Sequence, residues 1–196
     1  NGSGKSTLLR CLATGLKPHA GSMTVGGMSL WTNRDSLRPH IGYLAHQHHL
    51  WGDLSGHQNL ITWARLGGYD IDAPALLERV GLAAERTGPV RDYSAGMRRR
   101  LALARLLMKR PRLVLLDEPF GALDEFTRER LNLELLRVHA EAKATTMFVT
   151  HNIGEAVFLA DEILVMTPGP GRLAGVVEVP FPRPRSIDLM RTSEFT

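Results

Sequence analysis

A chain of 196 residues with 43% hydrophobic and 22% charged content is long enough to bury a substantial core as one main domain, and its single cysteine, Cys11, excludes an internal disulfide framework and fits a reducing compartment. No apolar run approaches the roughly 18 residues that a spanning helix needs, and the first residues have neither the basic nor the apolar part of a signal peptide, so membrane association is expected only through a partner. The formal net charge of +4 is scattered except for Arg98, Arg99 and Arg100, which fall in a helical pattern and read as a solvated face, so no nucleic-acid partner is expected.

Apolar runs rich in β-branched residues alternate with segments of helical period, which predicts an α/β domain with a largely parallel sheet. A glycine-rich loop opens into a helix over residues 6–16, stopped at Lys17-Pro18. Short strands follow over 23–25, closed by Gly26-Gly27, and over 41–45. Residues 47–92 turn helical, with the clearest pieces at 59–66 and 75–80, and read as an insertion into the core formed by 1–46 and 93–196. The alternation then resumes: a helix over 95–109 stopped by Pro111, a buried strand over 113–116, and a helix over 125–141. A strand over 146–150, a helix over 153–160 and a strand over 162–166 come next. Pro168-Gly169-Pro170-Gly171 turns the chain into a strand over 175–179, and the proline-bearing tail, 180–196, is expected to be loosely ordered.

Asn1-Gly2-Ser3-Gly4-Lys5-Ser6-Thr7 matches the end of a phosphate-binding P-loop, in which glycines let backbone N–H groups approach phosphate oxygens and the helix amino end adds partial positive charge. Lys5 is expected to reach the β- and γ-phosphates, Ser6 to offer its hydroxyl to Mg²⁺, and Thr7 to lie near the α-phosphate. The motif ordinarily begins with a glycine that falls before residue 1, so the loop is read as incomplete. Leu113-Val114-Leu115-Leu116-Asp117-Glu118-Pro119 is an apolar strand that delivers two acids to the carboxyl edge of a sheet. Asp117 is expected to hold Mg²⁺ through water, and Glu118 to polarise the attacking water as general base.

Tyr93-Ser94-Ala95-Gly96-Met97, shortly before the acidic strand, resembles the signature motif of ABC ATPases. It departs from the common Leu-Ser-Gly-Gly-Gln form at Tyr93, Ala95 and Met97, and keeps the serine and glycine that meet a γ-phosphate in that family. The resemblance extends to Gln47 as the Q-loop glutamine that touches Mg²⁺ or the attacking water. Gly121-Ala122-Leu123-Asp124 resembles the D-loop, and His151 the switch histidine that contacts the γ-phosphate. It implies a P-loop NTPase (RecA-like) parallel-sheet core with a helical insertion subdomain, and ATP and Mg²⁺ as cofactors. It also implies ATP hydrolysis by two chains paired head to tail, so that Ser94, Ala95 and Gly96 of one face the nucleotide held by the other. Transmembrane permease subunits at the cytoplasmic face of the membrane, and a possible substrate-binding protein, complete the implied assembly. His46, His48 and His49 flank Gln47 without a cysteine or acid at ligand spacing, so no metal other than Mg²⁺ is expected, and Trp31, Trp51 and Trp63 read as packing anchors.

The cargo reading divides along the chain. Residues 43–68 and 93–107 look like the ATPase of cytochrome c maturation haem exporters. Residues 115–196, with Pro180-Phe181-Pro182-Arg183-Pro184-Arg185 the most distinctive stretch, look like importers of nitrate, sulfonate or taurine type, which favours import of a small anion. Two further readings stay open: an ABC ATPase outside transport, which paired ATPase domains or long coiled-coil inserts would mark, and a nucleotide-binding module without hydrolysis.

Overall fold

In the computed structural model, which describes residues 2–45, 48–121, 123–193 and 195, the amino-terminal loop enters α1 (Lys5–Leu12). The helix stops short of the expected residue 16 because Thr14 takes a left-handed φ of 60°. The N–H groups of Gly15 and Leu16 then turn back to the Arg10 carbonyl at 2.9 and 3.2 Å, closing the carbonyl end before Lys17-Pro18. Gly26 and Gly27, at φ 57° and 78°, do more than end a strand: two left-handed residues in a row make the tight turn of a hairpin between β1 (Thr24–Val25) and β2 (Met28–Ser29).

After a short α2 (Arg34–Leu37) comes β3 (Ile41–Leu44), then three helices: α3 (Gly56–Gly67), α4 (Ala73–Arg79) and α5 (Ala95–Leu107). The start of α3 is a capping box, in which Gln58 N–H donates to Ser55 Oγ at 3.1 Å and Ser55 N–H donates to Gln58 Oε1 at 2.9 Å. Gly68, at φ 68°, ends the helix. Next come β4 (Leu113–Asp117), α6 (Glu125–Ala142), β5 (Thr145–Val149), α7 (Ile153–Leu159), β6 (Glu162–Met166) and β7 (Leu173–Glu178).

Strands β3, β4 and β5 form a parallel sheet in that order, with Ile41 opposite Leu113 and Leu113 opposite Thr145. Parallel neighbours need long crossovers, which α3 to α5 and α6 supply. Strand parity sorts the core into two clusters. Leu113 and Leu115 of β4 pack with Leu9 of α1, Leu30, Leu37 and Ile41. Val114 and Leu116 join the larger cluster that includes Leu60, Leu77, Leu101, Leu131 and Phe158 from the helices that follow β3. Among the described residues, β6 and β7 pair antiparallel in a sheet of their own.

The tail corrects an expectation. Residues 180–193 are held against α7, because Arg185, only 8% exposed, donates to the Phe158 carbonyl at 3.0 Å and the Ala160 carbonyl at 2.6 Å. Arg183 adds a bond to the Leu159 carbonyl at 2.6 Å and an ion pair with Asp161 at 2.8 Å. Two guanidinium groups thus satisfy the free carbonyls at the α7 carboxyl end, where the helix dipole also favours cations.

Candidate active site

Gly2 and Gly4 adopt φ of 94° and 81°, and a Cβ on either would meet nothing within 4 Å, so these glycines answer a demand of the backbone and not of space. Gly4 opens α1 without a side-chain cap, so among the described residues no side chain takes up the N–H groups of its first turn. Lys5 Nζ donates to Ser3 Oγ at 2.6 Å, and Thr7 is exposed on the first turn of α1. Asn1 lies outside the described residues.

Asp117 ends β4 on the same side as Leu113 and Leu115, the side that faces α1. Parity therefore brings the buried carboxylate to Ser6, whose hydroxyl donates to Asp117 Oδ1 at 2.9 Å. The other oxygen accepts from the Tyr43 hydroxyl at 3.4 Å, and burial, together with the neighbouring Asp117 carboxylate, pushes the Tyr43 phenol up from its ordinary value. A hydroxyl and a carboxylate meeting at a sheet's edge are hard oxygen donors of the kind Mg²⁺ takes, so these residues fit that ion. Gln47, the third expected ligand, lies outside the described residues. Among the described residues no cluster of three or more His, Cys, Asp or Glu side chains could hold a metal ion.

Glu118 leaves the strand with a left-handed φ of 44°, its N–H still bonded to the Val149 carbonyl at 2.9 Å. The half-exposed carboxylate lies 3.6 Å from His151 Nδ1, so the structure brings these two expected catalytic residues together. Gly121 closes over them: a Cβ there would sit 3.8 Å from both Glu118 Oε2 and His151 Cε1. Glu118, Gly121, Arg128, Thr150, His151, Asn152 and Glu155 line one small cavity.

Ser94 and Ala95 are exposed at the start of α5, where Ser94 Oγ accepts from Met97 N–H at 3.2 Å. Buried Gly96 packs so tightly on α6 that a Cβ would meet Thr127 Cγ2 at 2.9 Å. Asp124 caps α6 through Thr127 N–H at 3.0 Å, and that backbone bond, helped by the Thr127 hydroxyl, holds its carboxyl below the usual range. The signature residues and Asp124 thus sit side by side, and among the described residues no hydrogen bond joins them to the P-loop of the same chain.

Sequence reasoning missed three groups. Arg99, read as part of a solvated face, is 4% exposed and donates to the carbonyls of Ala45 at 3.2 Å and Glu118 at 3.3 Å. Burial pushes its guanidinium down to about 10. The signal was available: Gly96, Arg99, Leu103 and Leu106 recur at helical spacing on the buried face of α5. Tyr43 alternates inward on β3, but only the fold shows that it reaches Asp117. The pair Arg128 and Glu155, 3.3 Å apart between α6 and α7, had no signal in local spacing.

The chain matches the family described as ABC transporter over residues 1–121. It is 38% identical over 200 residues to an aliphatic sulfonates import ATP-binding protein of Bacillus licheniformis, an alignment covering 98% of this chain and 75% of that protein. A cytochrome c biogenesis ATP-binding export protein of Nitrosococcus oceani is 43% identical over 152 residues, 78% of this chain and 70% of its own length. A nitrate import ATP-binding protein of Synechococcus elongatus is 49% identical over 110 residues, covering 56% of this chain and 40% of that protein. With its P-loop, acidic strand end and paired Glu118 and His151, the chain belongs to the ABC transporter family as one of its ATP-binding, ATP-hydrolysing subunits.

Proposed function

We propose that this subunit energises import of a small anion of the nitrate or alkanesulfonate class through transmembrane permease subunits, docked on the cytoplasmic face of the membrane. The observation that carries the reading is the 38% identity to the sulfonate import protein across 98% of the chain, the arginine-bearing tail included. Export remains the second reading, favoured by the 43% identity to the cytochrome c biogenesis protein over a shorter span. Residues 1–46 and 93–196 would form the nucleotide-binding core, and 47–92 the helical insertion that meets the permease together with Gln47.

At the site, the Gly2–Gly4 backbone and the α1 amino end cradle the phosphates of ATP, and Lys5 leaves Ser3 to neutralise the β- and γ-phosphates. Ser6, Asp117 and Gln47 would hold Mg²⁺, which when bound offsets charge on the phosphate oxygens. Glu118 takes a proton from the attacking water, and His151, whose Nδ1 lies 3.6 Å from the Glu118 carboxylate, donates to the γ-phosphate. Exposed Ser94 and the backbone of Gly96, at a helix amino end with no hydrogen bond to their own P-loop among the described residues, serve the nucleotide of a second copy, with Asp124 beside them.

The test is Mg²⁺-dependent ATP hydrolysis as a function of protein concentration, with Glu118→Gln as control. The expected result is a rate per chain that climbs as copies pair, and a loss of at least about 10²-fold in the variant with ATP still bound. Wild-type turnover in Glu118→Gln would remove the general-base assignment, and a rate per chain independent of concentration would remove the paired site.

A further inference from the structure

Glu155 is 5% exposed, yet it carries a carboxylate into the wall of the cavity that holds Glu118 and His151. Its Oε2 accepts from Thr150 Oγ1 at 2.6 Å, and its own N–H donates to Asn152 Oδ1 at 2.9 Å. Thr150 Oγ1 in turn accepts from Asn152 N–H at 2.9 Å. Of the residues on either side of His151, Thr150 is therefore tied directly to the Glu155 carboxylate, and Asn152 is tied to it through the Thr150 hydroxyl and to the Glu155 backbone N–H. On its far side Glu155 Oε1 lies 3.3 Å from Arg128 Nε. That guanidinium donates to the Leu123 carbonyl at 2.9 Å and to Glu125 Oε2 at 2.9 Å, the two neighbours of Asp124.

A buried carboxylate is expensive unless it is paired and hydrogen-bonded, and this one joins two loops instead of merely neutralising a helix. His151 itself is two-thirds exposed and, among the described residues, makes no hydrogen bond of its own, so its place beside Glu118 depends on the backbone of residues 150–152. We propose that Glu155, braced by Arg128, is a positioning residue for ATP hydrolysis: it fixes the turn that aims His151 and ties that turn to the Asp124 segment. This rests on the ATPase reading above.

The test is steady-state and single-turnover ATP hydrolysis by the full protein carrying Glu155→Ala, Glu155→Gln, His151→Ala, or His151→Ala with Glu155→Ala. Misplacing a catalytic group by about 1 Å can cost about 10²-fold, so kcat in Glu155→Ala is expected to fall by roughly that factor, with KM for ATP changed less than about threefold. Glu155→Gln, which still accepts from Thr150, recovers part of the loss. In the His151→Ala background the same substitution costs less than about threefold, because the group it aims is gone. An equal loss in both backgrounds, or wild-type kcat in Glu155→Ala, overturns the inference. Should Glu155→Ala fail to fold, Thr150→Val removes the same bond, and its loss of kcat must be restored by Thr150→Ser; no loss, or no restoration, also overturns it. Inactive Glu118→Gln beside fully active Glu155→Ala rejects this inference alone, whereas active Glu118→Gln rejects the reading beneath it.

Discussion

Lys5 is bonded to Ser3 Oγ at 2.6 Å, so its ammonium has to give up a neutral partner before it meets a phosphate, and a doubly charged acceptor makes that exchange favourable. Because the proposed role puts this charge on ground-state phosphates as well as on the transferring group, Lys5→Ala is expected to weaken ATP binding by at least about tenfold, roughly 1.4 kcal/mol. Equilibrium titration with ATP checks this, and wild-type affinity would contradict the assignment. At this scale the candidate site residues legible in the sequence were those marked by their immediate neighbours: glycines before Lys5, an apolar run before Asp117 and Glu118, a strand before His151; their roles are the ones proposed above. Tyr43 and Glu155 were not legible, and for Arg99 the helical period announces burial but not the partner, since each meets a group on another element, as Tyr43 does Asp117 and Arg99 the Glu118 carbonyl.

Elements were readable wherever hydrophobic period and capping agree. Ser94, Asp124 and Asn152 each cap the helix that follows, and each accepts the expected bond from the third residue on. The β1–β2 hairpin was half seen, because two-residue strands carry too little pattern to declare a partner while their Gly-Gly turn does. The approach of α5 to α6 was invisible, and it yields a prediction. Alanine at Gly96 should raise helix propensity, yet its Cβ would meet Thr127 Cγ2 at 2.9 Å, and Thr127 is pinned by its N–H bond to Asp124. Overpacking wins: Gly96→Ala is expected to lose about 1–3 kcal/mol in urea unfolding, and Thr127→Ser, which deletes the offending methyl, to recover most of it in the double variant. A double variant as unstable as Gly96→Ala would show that the close contact is not the cause.

For the whole molecule, the alternation of strands and helices announced a parallel α/β sheet, and β3, β4 and β5 form one, but which side of β4 meets α1 had to be read from its burial. The tail was misjudged because proline content hides what Arg183 and Arg185 do once α7 presents its carbonyls. That docking sets the environment of His139 on α6, whose Nδ1 lies 3.1 Å from Thr146 Oγ1 of β5. Burial first, and then the Arg183 charge, hold the imidazole below its ordinary 6.5, with Asp161 opposing. A folded-state value below the unfolded one means that the unfolded chain binds the proton first, so stability is whole above 6.5 and declines as pH falls through that value. Asp161, held below its ordinary 3.8 chiefly by the Arg183 bond, contributes stability that is lost only at lower pH, outside this window. Between about pH 7.5 and about pH 5.5 the urea midpoint is therefore expected to drop, with a slope from this residue of at most about 1.4 kcal/mol per pH unit, and to drop less in His139→Gln. An equal decline in both proteins would mean that the tail and the sheet leave His139 as free to take its proton as it is in the unfolded chain.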